Sequence, residues 1–251
     1  MAEAVVPPEA SAPPLSQGQR VVDTFIAPSK TFTDIQRSSS WWLPWLIGLA
    51  ISVVVGLAIQ QKIGWDKVYD NVQRQAPIAQ QQKMEQMTPD QQAKIRNVSV
   101  AITKYAVYGG PIIGLLGAVI IAAVLLATLN FGFGARAKFG QLFAAWFYAA
   151  LPMAIKWLLA VVTIYAGADP DAFNIKNPVG TNLGYFLPLD MPKWLMSLGT
   201  SIDIFTIWTL VLLTIACSII GKISRGKAAA AVWGWWILLV LIGTAYAAVA
   251  G

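Results

Sequence analysis

Residues 139–166 run almost without interruption through apolar side chains, from Phe139 through Trp146 and Trp157 to Ile164. At about 1.5 Å per residue, roughly 20 residues of helix cross the ~30 Å hydrocarbon core of a bilayer. Two residues in the stretch are ones that a lone spanning helix avoids. Pro152 has no amide to donate, so it kinks a helix unless neighbours take up the carbonyl it frees. Lys156 sets an ammonium among apolar groups, which costs about 2.5–3.5 kcal/mol at a helix centre. A stretch carrying both is a kinked central helix packed against others, and other spans must supply that packing.

The rest of the chain supplies them. Five spans are expected, at about 41–59, 108–130, 140–166, 201–220 and 228–250. Only 12% of residues are charged, against about 25% in ordinary soluble domains. The fold class is therefore all-α: a polytopic membrane protein of five transmembrane helices, with short interfacial helices before the first. Trp41, Trp42 and Trp45 read as an interfacial belt, and Pro44 sits near the helix start, where it costs little. Gly110, Gly114, Ala118 and Ala122 recur every four residues, a small-residue stripe that lets another helix approach closely.

Residues 1–18 form a proline-rich tail expected to be disordered, and 19–251 form one membrane domain. Within 19–37, Val21, Val22, Phe25 and Ile26 lie on one helical stripe that Pro28 ends. Ser29 is the expected N-cap of a second short helix carrying Phe32 and Ile35. Both pieces are too short to span and are expected at the membrane surface, with Arg20, Lys30 and Arg37 toward head groups. The loop 60–105 is polar and glutamine-rich. A mildly amphipathic helix from Trp65 is interrupted at Pro77, and Thr88-Pro89-Asp90-Gln91 is a capping box that starts a helix running into the second span. Residues 167–200 read as an irregular, acid-biased loop. Arg136, Lys138, Lys222, Arg225 and Lys227 share one face with the N-terminus. By the positive-inside rule that face is cytoplasmic and the C-terminus lies outside.

Chemistry is scarce. The chain has no histidine, which removes the usual general base and the commonest metal ligand. No metal-ligand cluster, phosphate loop or Gly-x-Ser-x-Gly is present, so no catalytic, cofactor or metal residue is assigned and no cofactor is expected. The single cysteine, Cys217, lies in an apolar run and reads as a packed residue. Asp66 and Asp70, four apart, read as a solvated helix face, and Asn97-Val98-Ser99 as a chance sequon. A net charge of +6 points to anionic lipid head groups, and no nucleic-acid motif competes with that.

Lys156 has three readings. It snorkels outward, its stem being apolar; or it pairs between helices with Asp203, near the start of the fourth span; or it alone contacts an ion or a lipid phosphate. The pair requires the third span to end early, near Val162, or the fourth to begin before residue 201.

Three local patterns resemble the Yip1-domain family, in particular its prokaryotic members. They are Phe25-Ile26-Ala27-Pro28-Ser29-Lys30-Thr31-Phe32; then Gly134 and Phe139 with Tyr148-Ala149-Ala150-Leu151-Pro152; and then Asp203-Ile204-Phe205-Thr206-Ile207-Trp208 with the turn Ser224-Arg225-Gly226-Lys227-Ala228. The resemblance covers about residues 20–248 and implies a five-helix membrane domain with a cytosolic N-terminus, in a prokaryotic inner or plasma membrane. Eukaryotic members act in vesicle traffic and bind lipid-anchored small GTPases. This chain lacks their Asp-Leu-Tyr-Gly-Pro signature, so the resemblance does not extend to a GTPase partner. Residues and resemblance together favour a non-enzymatic membrane scaffold that binds lipids, other membrane proteins or a second copy of itself. The alternative is a small transporter or channel subunit, for which Pro152 and Lys156 speak.

Overall fold

The computed structural model describes residues 13–76, 78–188 and 191–250. Most of the expected tail, Pro77, Asp190 and Gly251 lie outside these. The elements are α1 (Gln17–Ile26), α2 (Pro28–Ile35), α3 (Trp42–Lys62), α4 (Trp65–Arg74), α5 (Ile78–Glu85), α6 (Pro89–Ala127), α7 (Phe139–Ala149), α8 (Leu151–Tyr165), α9 (Lys193–Ser201), α10 (Ile204–Gly221) and α11 (Arg225–Ala250). A π turn, Thr128–Gly132, closes α6, and a 3₁₀ turn, Leu183–Phe186, precedes α9. Among the described residues, five helical runs are long and apolar enough to cross a bilayer: α3, α6 with its π turn, α7 with α8, α10, and α11.

Helix α3 runs beside α8 and against α6. Pro111 lies inside α6 and cannot donate to the Val107 carbonyl one turn back. Ser52 of α3 takes up that carbonyl, its hydroxyl donating to Val107 O at 2.6 Å, while Trp45 Nε1 donates to Pro111 O at 3.0 Å. The tightest approach of the two helices is at Gly56, where the Tyr108 ring occupies the space a Cβ would need. The small-residue stripe is divided. Ala118 and Ala122 are buried, whereas Gly114 is exposed and a Cβ at Gly110 or Gly114 would meet nothing within 4 Å. Within this chain, close packing uses only the half of the stripe where α6 meets α7.

The third span is broken as Pro152 predicts. Helix α7 stops at Ala149, and α8 restarts with Pro152 in its first turn, where a missing amide costs nothing. The Ala150 amide donates to the Trp146 carbonyl at 2.9 Å and so closes the end of α7.

The N-terminal helices depart from expectation. Helix α1 begins at Gln17 with a capping box from Ser16, inside the expected tail. Pro28 opens α2 at its first position, and Ser29 is not its N-cap, because Ala27 already turns the chain there. Phe32 and Ile35 are buried in the protein core with Leu142 and Ala145 of α7 and Leu213 and Cys217 of α10. Phe25 meets Trp208 edge-on, and Gln36 donates to the Ile219 carbonyl at 2.7 Å. The hairpin thus lies along α10 from 208 to 219, about 16 Å of helix; Val21, Phe25, Phe32 and Ile35 face protein, whereas Val22 and Ile26 of the same stripe are exposed. Arg20, expected among head groups, is buried against Asp34 instead.

The opposite end is covered by the two long loops. Lys67 Nζ meets Asp171 at 2.6 Å, Asn71 donates to the Pro170 and Phe173 carbonyls, and Arg96 forks onto Asp66 and Asp70. The bonded Lys67 ammonium holds the Asp171 carboxyl below the ordinary carboxylate range. The residues read as a solvated acidic face are therefore the partners of one arginine, from a helix 26 to 30 positions away.

Candidate functional site

The fourth span is where chain and expectation differ most usefully. Lys193–Ser201, expected as the end of the 167–200 loop and the first residue of the fourth span, is helix α9, which packs along α11 just ahead of α10. Ile202 and Asp203 interrupt what would otherwise be one helix. Backbone from 181–183 pairs with the break: Leu183 N donates to Ile202 O at 3.3 Å, and Ile204 N to Thr181 O at 3.0 Å. A Cβ on Gly184 would lie 2.7 Å from Thr200 N, and one on Gly199 would lie 3.0 Å from Gly184 Cα. This glycine crossing lets the segment press against α9.

Asp203 has extended backbone and caps α10. Its Oδ1 accepts from Phe205 N at 2.9 Å and Thr206 N at 3.2 Å. Its Oδ2 accepts from Thr181 Oγ1 at 2.6 Å and Lys156 Nζ at 2.8 Å. The structure therefore brings Lys156 and Asp203 together, with side-chain exposures of 13% and 2%. A carboxylate has about four lone-pair positions, and here the chain's own donors take all four. Asn182 orders the pairing segment, its Nδ2 donating to Asn177 Oδ1 at 2.6 Å and its Oδ1 accepting from Tyr185 N at 3.0 Å.

Two contacts with the α3 segment bracket the pair along the third span. At one end Trp41 stacks on Phe147; at the other, Tyr165 donates to Gln61 at 2.9 Å. Lys156 is nine residues from Phe147, across the break between α7 and α8, and nine from Tyr165 (147 to 156, 156 to 165), so about 13 Å of α8 separates it from the Tyr165 end. Helix α8 does not end near Val162; it runs to Tyr165. The pair forms because α9 precedes the break at Ile202 and Asp203, which leaves Asp203 buried between the two helices rather than at a free helix start. Sequence reasoning missed Thr181 and Asn182; their one signal was a pair of polar side chains in a segment otherwise read as loop.

The end carrying the hairpin contrasts with the loop-covered end. There Arg136, Lys138, Lys222, Arg225 and Lys227 are all exposed. Among the described residues, no ion pair involves any of the five.

A family model described as the Yip1 domain matches residues 22–247, nearly the whole chain. No curated protein and no solved structure matches it.

Proposed function

Since the chain belongs to the Yip1 domain family, we propose that it works as a non-enzymatic integral membrane scaffold. In this reading it binds membrane lipids, other membrane proteins or a second copy of itself at its basic end. The observation that carries the reading is the filled carboxylate of Asp203. A substrate-binding carboxylate must have acceptor positions to offer, and this one has given all of them to Lys156, Thr181 and the first turn of α10. The deep charges thus hold a broken helix together.

A transport reading has one observation in its favour. Discontinuous helices with polar groups at depth are how many transporters build substrate sites. Flux decides between the two. Proteoliposomes holding the purified chain are expected to be as tight to protons, sodium and potassium as protein-free vesicles. Flux that disappears in Lys156→Met would replace the scaffold with a transporter.

Orientation belongs to the same reading. In this reading the basic end faces the cytoplasm, as the positive-inside rule gives for turns this short, and Gly251 lies outside a prokaryotic plasma membrane. A cysteine placed at 225 is expected to resist a membrane-impermeant thiol reagent in intact cells, and one at 171 to react. The reverse pattern would invert the topology.

A further inference from the structure

We infer that the two adjoining turns of the basic end, 131–138 and 222–227, form a binding site for the head groups of anionic lipids. The inference rests on reading that end as the partner surface.

Each turn is held rigid by its own bonds. Asn130 donates to Ala137 O at 3.1 Å and accepts from Ala137 N at 2.9 Å, and Ala135 N donates to Leu129 O at 3.0 Å. With Leu129 and Ala137 buried, the closed loop is left with Arg136 and Lys138 exposed and Phe131 93% exposed. In the second turn, Lys222 sits in the left-handed region at φ 50°, and Ser218 Oγ donates to Ile223 O at 2.8 Å. The turns touch: a Cβ on buried Gly221 would lie 3.3 Å from that of Ala135. Five cations and one aromatic ring are thus gathered on a prepared surface.

For three of the five cations the electrostatics within the chain are unfavourable, Lys222 at the C-terminus of α10 being well placed. Neither turn contains an acidic residue. Lys138 immediately precedes the N-terminus of α7, and Arg225 and Lys227 lie in the first turn of α11, with no acidic residue in either first turn. Helix N-termini carry partial positive charge, so cations there are disfavoured. At the loop-covered end, by contrast, Lys67, Arg74 and Arg96 each meet a carboxylate of the chain. A charge pattern that conflicts with its own local structure marks a place where an outside partner supplies the balance. The partner must be anionic, present in the plane of the head groups and tolerant of a neighbouring aromatic ring. An anionic phospholipid meets all three conditions, and Lys/Arg clusters beside spanning helices recognise such lipids.

The test uses the full chain in nanodiscs of phosphatidylcholine with a minor fraction of spin-labelled phosphatidylglycerol. The readout is the motionally restricted lipid component, with spin-labelled phosphatidylcholine as reference. Wild type is expected to prefer phosphatidylglycerol by roughly ten-fold in low salt, with the preference falling as salt rises. The variant R136Q/K138Q/K222Q/R225Q/K227Q is expected to lose that preference, and K67Q/R74Q to keep it. Equal preference in wild type and the five-fold variant, or none in wild type, overturns the site. Helical circular dichroism and the thermal midpoint confirm that each variant is folded; should the five-fold variant unfold, R136Q/K138Q and K222Q/R225Q/K227Q are compared instead, each expected to lose part of the preference. Vesicle flux would overturn the scaffold reading while leaving this lipid measurement intact, so the two failures are distinguishable.

Discussion

Replacing Asp203 by alanine is expected to lower the stability of the reconstituted protein by about 4–6 kcal/mol. Removing one member of a buried ion pair costs about 3–5 kcal/mol, because the other charge is left uncompensated. The same carboxylate caps α10 through Phe205 N and Thr206 N, and loss of such a cap costs about 1 kcal/mol more. Asp203→Asn separates the two effects. Asparagine is a good N-cap, so this change removes the charge and keeps most of the cap, and it is expected to cost about 1 kcal/mol less than alanine. Lys156→Met is expected to cost about 2–3 kcal/mol, since Asp203 retains Thr181 and two backbone amides. The double variant Lys156→Met/Asp203→Asn should be more stable than the sum of its parts, with a coupling of about 1–3 kcal/mol. Unfolding titrations in mixed detergent micelles measure all four. Strictly additive losses would show that the two side chains do not hold the break together.

The second large effect is expected at the N-terminal hairpin. Arg20 is 2% exposed and connects most of what fixes α1 and α2. Its Nε donates to Asp34 Oδ2 at 2.7 Å, its Nη1 donates to the Ser38 carbonyl at 2.9 Å, and its own carbonyl accepts the Thr24 and Thr31 hydroxyls. Arg20→Met leaves Asp34 buried with no cation and is expected to cost about 3–5 kcal/mol. The loss should be local first, because the hairpin packs on α7 and α10 without being threaded between spans. Limited proteolysis should therefore cut within 17–38 in Arg20→Met under conditions that leave wild type whole. Arg20→Met/Asp34→Leu, which replaces both charges by apolar groups of similar size, should restore most of the protection. Cleavage of the double variant as fast as the single one would show that the hydrogen bond to Ser38, and not the ion pair, holds the hairpin.

Composition and periodicity determined the membrane character, the span count and the start of the helix at Pro89. Apolar length is a local property, and so is the capping box at Thr88 and Gln91, whose partners are three residues apart. Pro152 marked its own break, because a missing amide acts within one turn. The tertiary structure decided what each polar group inside the apolar runs is for. Arg20 and Asp34 look like surface charges until the hairpin folds onto α7 and α10; Ser52 carries no signal until Pro111, 59 positions away, leaves a carbonyl for it. Lys156 allowed three readings in sequence because its environment depends on where the fourth span begins. That point is set by α9 packing on α11 and by the glycine crossing of Gly184 and Gly199. A buried polar group must be matched by another, and the match comes from whichever element the fold brings within about 3 Å, at a distance along the chain that no local pattern encodes.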